Sequence, residues 1–168
     1  MLKLAKESDF LQVYALMESA FPTDEHRPYE AQKALLARDN YRLYIEKDGD
    51  ELVGIVALWT LSYPFIEHIA VSESRRNCGV GGRMLDEALS LCGGNACLEV
   101  ELPETPIAVR RIGFYRRHGF CLNTYPYSQP PLAPGQSSVP LYIMTTPTPI
   151  SEPEFQSLKT EIYRTAYK

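Results

Sequence analysis

The stretch "FIEHIAVSESRRNCGVGGRML", residues 65–85, limits the fold more than any other part of the sequence. It passes from an alternating, β-branched run through a polar turn and closely spaced glycines straight into an apolar helical pattern. Val80, Met84, Leu85, Ala88, Leu89 and Leu91 fall along one side of that helix, which closes at Gly93 and Gly94. A strand feeding a helix this tightly belongs to a mixed α/β sheet whose helices cover its faces. The first N–H groups of such a helix have no internal acceptor, so the turn attracts an anion, and glycine lets that anion approach the backbone. Read alone, the glycines also suit a plain tight turn. Two nucleotide patterns fail: Gly82-Arg83-Met84 stands where a Walker loop needs Gly-Lys-Ser or Gly-Lys-Thr, and Met84 stands where GxGxxG from Gly79 needs glycine.

Around this unit, periodicity predicts a helix from an N-capping Ser8 through "FLQVYALMESAF", stopped by Pro22. A second helix, "YEAQKALLARD", follows Pro28 and ends near Asn40. "YRLYIEKDGDELVGIVALWTLS" reads as two antiparallel strands turned at "KDGD". After the glycine unit come a strand "ACLEVEL", a helix "AVRRIGFYRRHG", a strand "FCLNTY" and a last strand "LYIMTT", the first two of these strands joined as a parallel crossover. Five of the thirteen prolines fall within residues 126–140, which therefore read as an irregular loop. Ser151 and Glu154 form a capping box for a terminal helix carrying Phe155, Leu158, Ile162 and Ala166 at helical spacing. That helix reads as docked on its own chain, with a homodimer contact as the alternative. The expected fold is one α/β (α+β) domain over residues 1–168, with a mostly antiparallel central sheet flanked by helices, a core of 1–146 and an extension helix in 147–168.

Composition narrows the function. With 45% hydrophobic and 23% charged residues the chain has an ordinary globular core, and its net charge of -4 provides no general basic field for nucleic acid or an anionic membrane. No apolar run approaches the ~20 residues of a membrane span, and "MLKLAKESDF" lacks a signal-type apolar region, so a cytoplasmic protein is expected. Cys78, Cys92, Cys97 and Cys121 form no CxxC pair and have no histidine at zinc spacing; the reading is reduced thiols and no metal site.

"IAVSESRRNCGVGGRML" resembles the acetyl-CoA loop of the GNAT superfamily of N-acetyltransferases, with Arg76, Gly79 and Gly81 in an R-x-x-G-x-G run and Leu85 inside the helix. "FYRRHGF" is similar to the Phe-Tyr-x-x-x-Gly-Phe ending of that family's later helix, and the order of elements matches over nearly the whole chain. The resemblance implies that the acetyl-CoA pyrophosphate rests on backbone N–H groups of Asn77, Cys78, Gly79, Val80, Gly81 and Gly82, flanked by Arg76. It also implies that the pantetheine arm pairs like a strand with Ile69 and Val71. Where many members carry a cofactor-contacting asparagine, this chain has Ala108, which offers no polar group.

Acetyl transfer to an amine needs an uncharged nucleophile, donors for the polarised carbonyl and a proton for the departing sulfur. Tyr115 occupies the family tyrosine position, and a phenol with a reference pKa of ~10 stays protonated at neutral pH. Strand alternation puts Phe65, Glu67, Ile69 and Val71 on one face and His68 on the other; Glu67 is the expected base, its pKa raised by partial burial, and His68 is read as structural. Glu99 and Glu101 share a strand face and line the acceptor cleft in this reading, with Arg27 and Tyr127 as further acceptor contacts from the two irregular segments. The implied activity is direct transfer from acetyl-CoA to a primary amine of a small molecule. A peptide amine, or an acyl-CoA sensor of the same fold without turnover, are the alternatives.

Overall fold

The computed structural model describes residues 1–168. Its helices are α1 (Phe10–Ala20), α2 (Tyr29–Ala34), α3 (Val80–Leu91), α4 (Pro106–Arg117) and α5 (Glu152–Thr165). Its strands are β1 (Lys3–Leu4), β2 (Tyr41–Asp48), β3 (Glu51–Trp59), β4 (Phe65–Val71), β5 (Ala96–Glu101), β6 (Cys121–Gln129) and β7 (Val139–Thr146). They form one seven-stranded sheet in the order β1-β2-β3-β4-β5-β7-β6. All neighbours are antiparallel except β4 and β5, which run parallel because α3 carries the chain back between them. This is the mixed, mostly antiparallel architecture expected from the sequence.

A hydrophobic core covers each face of the sheet. On one face Phe10, Val13 and Met17 of α1 and Phe155, Leu158 and Ile162 of α5 pack on Ile45, Ile55, Trp59, Phe65 and Ile143. On the other, Met84, Leu85 and Ala88 of α3 and Ile112 and Tyr115 of α4 pack on Val56, Leu58, Ile66, Leu98 and Met144. Gly54 sets the approach of α3, because a Cβ there would lie 2.6 Å from the Met84 side chain and 2.8 Å from the Ala70 carbonyl oxygen. The apolar side of α5 is spent within the chain, each fully buried residue contributing about 2 kcal/mol. Its predicted capping box forms, with Glu154 accepting from both the backbone N–H and the hydroxyl of Ser151 at 2.7 Å.

Several boundaries differ from the sequence reading. Ser8 does not cap α1; residues 7–9 form a 3-10 turn, and the Asp9 carboxylate accepts the Lys6 N–H at 2.8 Å. The second helix tightens to a 3-10 turn after Ala34 and stops at Ala37, short of Asn40. Residues 126–129 continue β6 instead of opening a loop. Pro126 is tolerated because β6 is the sheet's edge and its register with β7 shifts between Asn123 and Tyr127. The crossover strands β5 and β6 do run parallel, but β7 lies between them.

Candidate active site

The site begins where two strands part. β4 and β5 pair only at Phe65 with Cys97 and Ile66 with Leu98, after which they diverge and leave the β5-facing edge of β4 open. In an antiparallel ladder alternate residues exchange both hydrogen bonds. Since Ser72 donates to Val53 across β3, the residues spaced by two from it, Ala70 and His68, are the paired ones. Ile69 and Val71 therefore turn their N–H and C=O groups into the gap, and the Val71 carbonyl there accepts only from Arg76 Nε, at 3.2 Å. A cleft of about 650 Å³ runs through the gap, lined from the glycine turn through Ile69 and Val71 to Glu99 and Glu101.

At the cleft's outer end Gly79 adopts φ +76°, a left-handed conformation that glycine accepts without strain, and α3 begins at the next residue. Arg83 is the first helical residue whose N–H finds its partner, on Gly79, so the N–H groups of Val80, Gly81 and Gly82 have none within the helix and no side chain caps them. Arg75 ties this turn to the β2–β3 hairpin through Asp48 at 2.8 Å and Glu51 at 3.1 Å. Arg76, Asn77, Gly79, Gly81 and Gly82 line the cleft, together with Arg110. Cys78 and Val80 do not.

The other end of the cleft lies on the α1 and α5 side of the sheet, and here the sequence reading needs correction. The register between β3 and β4 shifts at Glu67, which bulges out of the ladder between Ile66 and His68. Regular alternation therefore breaks: Glu67 and His68 both reach the α1 side, whereas Ile69 and Val71 pack with the α3 core. Glu67 is also not the raised carboxyl that was expected. Its side chain is 2% exposed, accepts from Arg27 Nη1 and from Trp59 Nε1 at 2.7 Å each, and sits beside His68. Burial pushes its pKa up, but Arg27, His68 and the Trp59 N–H together outweigh this and hold it below the ordinary value.

Arg27 and Tyr127 are not acceptor contacts in this geometry. The Arg27 guanidinium is 8% exposed on its side chain and is used by Glu67, by Gln32 and by the Ala166 carbonyl. Tyr127 is buried, and its hydroxyl donates to Glu99. Glu101, half-buried, pairs with Arg111 at 2.7 Å and remains on the cleft wall.

Glu99 has the proton affinity assigned to Glu67 by the sequence. Burial pushes its carboxyl up to about 7, with Glu67 and Glu25 adding to the rise and the hydroxyls of Tyr127 and Tyr167 opposing it. His68 is 3% exposed, and its Nε2 donates to the Glu25 carbonyl at 2.8 Å. That bond places a proton on Nε2, while Nδ1, 3.9 Å from Glu67 Oε2, is the chain's one fully buried side-chain polar atom without a hydrogen-bond partner. On the opposite side of the gap Tyr115 lines the cleft among Phe114 and Phe120, and burial pushes its phenol up to about 12.

Two segments that the sequence singled out as irregular close over this end by joining each other. Gln136 donates to the carbonyls of Thr23 at 2.9 Å and His26 at 3.0 Å, and Gln129 donates to that of Asp24 at 2.8 Å. Neither glutamine carries a motif that would have revealed this role.

Comparison with known proteins identifies the arrangement. The family model for the acetyltransferase (GNAT) family matches residues 10–120, and the chain belongs to that family, whose members use acetyl-CoA. No curated protein sequence matches the chain. Among solved structures, a chain of Bacteroides thetaiotaomicron assigned to the GNAT family is 30% identical, with a TM-score of 0.89 over 99% of this chain and 98% of its own. A GNAT acetyltransferase of Elizabethkingia anophelis with acetyl-CoA bound is 18% identical, with a TM-score of 0.62 over 86% of this chain and 95% of its own. A spermidine N-acetyltransferase variant of Vibrio cholerae is 13% identical, with a TM-score of 0.64 over 86% and 93%. The last two likenesses concern the fold. No helix is long and apolar enough to cross a membrane.

Proposed function

We propose that the protein transfers the acetyl group of acetyl-CoA to a primary amine of a small molecule, directly and within one ternary complex. The observation that carries this reading is the continuous cleft through the parted strands, with free backbone donors on one side and a carboxyl poised near neutrality on the other. The residues present suit a CoA thioester: the uncapped start of α3 meets a pyrophosphate, and the open edge of β4 at Ile69 and Val71 meets an amide-bearing arm.

Bound acetyl-CoA supplies an activated acyl group; the remaining tasks fall to the chain. Glu99 takes the proton from the acceptor ammonium, its affinity near neutrality matching that task. Tyr115 holds a proton on the cofactor side and donates it toward the sulfur. Glu67 keeps its charge and fixes Arg27. Enclosure by the Gln129 and Gln136 contacts favours a compact acceptor over a peptide, and Glu25, Glu99 and Glu101 on the cleft wall favour a cationic one. A screen of CoA release from acetyl-CoA across polyamines, amino acids, amino sugars and peptides tests the reading. Turnover of a small amine is expected; binding of acetyl-CoA with no turnover anywhere in the panel would make the protein an acyl-CoA sensor.

A further inference from the structure

The segment that follows α5 does not hang free. The Tyr167 hydroxyl reaches both carboxylate oxygens of Glu99, at 2.7 Å each, and its ring lies against Phe65 and Tyr163. One residue earlier, the Ala166 carbonyl accepts from Arg27 Nη2, and the Arg27 guanidinium sits 5.8 Å from the Tyr167 ring centroid. Arg27 in turn holds Glu67. A single chain of contacts thus runs from Glu67 through Arg27 and residues 166 and 167 to Glu99, joining the two parted strands from the acceptor side. Tyr127 completes the set by donating to Glu99 from β6.

We propose that Tyr167 is a positioning residue of the active site, which fixes the Glu99 carboxylate at the mouth of the gap so that it faces the acceptor nitrogen. The extension helix is then a working part of the catalytic unit. The argument runs on geometry. Glu99 extends from a strand edge that has lost its β4 neighbour, so no backbone partner restrains that side of its surroundings. Two phenols approaching from different elements restrain the carboxylate instead. Truncating either one would free a rotation within the cleft. The charged and titratable groups facing Glu99 are Tyr127 on β6, Tyr163 and Tyr167 on α5 and its end, Glu67 on β4, Cys97 on β5, and Glu25 in the link before α2. Tyr127 and Tyr167 are the ones that donate to the carboxylate, so loss of Tyr167 removes a donor and raises its proton affinity.

This proposal rests on the reading of Glu99 as proton acceptor, and the test separates the two. The Glu99 carboxyl is followed by carbon NMR as a function of pH in selectively labelled protein, assigned with Glu99→Gln, without any acceptor present. Tyr167→Phe is expected to raise its midpoint by about one unit, the size of one charge-assisted hydrogen bond. Tyr163→Phe, which loses only a bond to the Ser128 carbonyl, leaves it in place. In the acceptor screen, Tyr167→Phe lowers kcat severalfold above the midpoint, where Glu99 is ionised but less well oriented, and by about a further tenfold below it. An unmoved midpoint in a Tyr167→Phe protein with native thermal unfolding would overturn the proposal. If the midpoint moves but Glu99→Gln retains full transferase activity, the positioning contact stands and the assignment of the base fails.

Discussion

Glu67 and Glu99 face the same side of the sheet from neighbouring strands, and their surroundings drive their proton affinities apart. Glu67 is matched by a guanidinium and an indole N–H, whereas Glu99 has only neutral phenols to offset its burial. Two similar carboxylates therefore do different work: one stays charged and braces, the other can exchange a proton near neutrality.

Replacing Glu99 with Gln should lower kcat/KM for the acceptor about a hundredfold or more. In the parent protein kcat/KM rises with pH as Glu99 loses its proton around 7, and this acid limb should vanish in the variant. A pH–rate profile of CoA release checks both.

Stability should respond to the same residue in the opposite sense. Folding raises the Glu99 pKa from its ordinary 4.5 to about 7, so the native state binds the proton more tightly than the unfolded chain. Its contribution is complete below 4.5 and is lost as pH rises through about 7. Glu99→Gln should therefore match the parent near pH ~4 and exceed it at pH ~8, by about 3 kcal/mol at most. Denaturant unfolding at the two pH values measures the difference.

Glu67→Gln should do the reverse. It leaves the Arg27 charge buried without its partner, at a cost of about 3 to 5 kcal/mol. Because folding depresses the Glu67 pKa, the parent's advantage should shrink as pH falls through the folded value. Pairing Glu67→Gln with Arg27→Met should recover part of the loss in the same unfolding measurements.

Tyr115→Phe should lower kcat about a hundredfold while leaving acetyl-CoA affinity unchanged, since the hydroxyl is needed only for the proton on the cofactor side. Isothermal calorimetry and steady-state kinetics on the same preparation separate the two effects.

Gly81→Glu should abolish acetyl-CoA binding without unfolding the protein. A Cβ at Gly81 meets nothing closer than Val71 at 3.6 Å, and a glutamate in a helix's first turn is favourable both by propensity and by the helix dipole. What it adds is negative charge where a pyrophosphate should sit. Calorimetry should show no binding, and the thermal midpoint should hold or rise.

Much of this was legible in the sequence because it depends on local chemistry. The glycine turn, the Asp-Gly hairpin and the capping box of α5 follow from short patterns whose geometry neighbouring residues determine, whereas the open backbone at Ile69 and Val71 was expected only through the family resemblance. The faces of His68, Ile69 and Val71 were misread because alternation assumes an unbroken ladder, and the bulge is set by its pairing with β3; the charge state of Glu67 was misread because Arg27 and Trp59 reach it from distant positions. The path of β6 past Pro126 was misread because a proline is excluded from a central strand but not from an edge. The roles of Gln129, Gln136 and Tyr167 had no local signature at all. Tyr167 meets Glu99 across 68 positions, a contact only the completed fold creates.

The link from Arg27 to Ala166 and from Tyr167 to Glu99 also gives the segment after α5 a hold on both parted strands. Residues 10–120 hold the family match, but the strand that lies between β5 and β6 and the segment that braces Glu99 both come later in the sequence. Removing positions 166 and 167 alone should therefore leave the glycine turn as it is while freeing Arg27 and the Glu99 carboxylate, uncoupling one end of the cleft from the other.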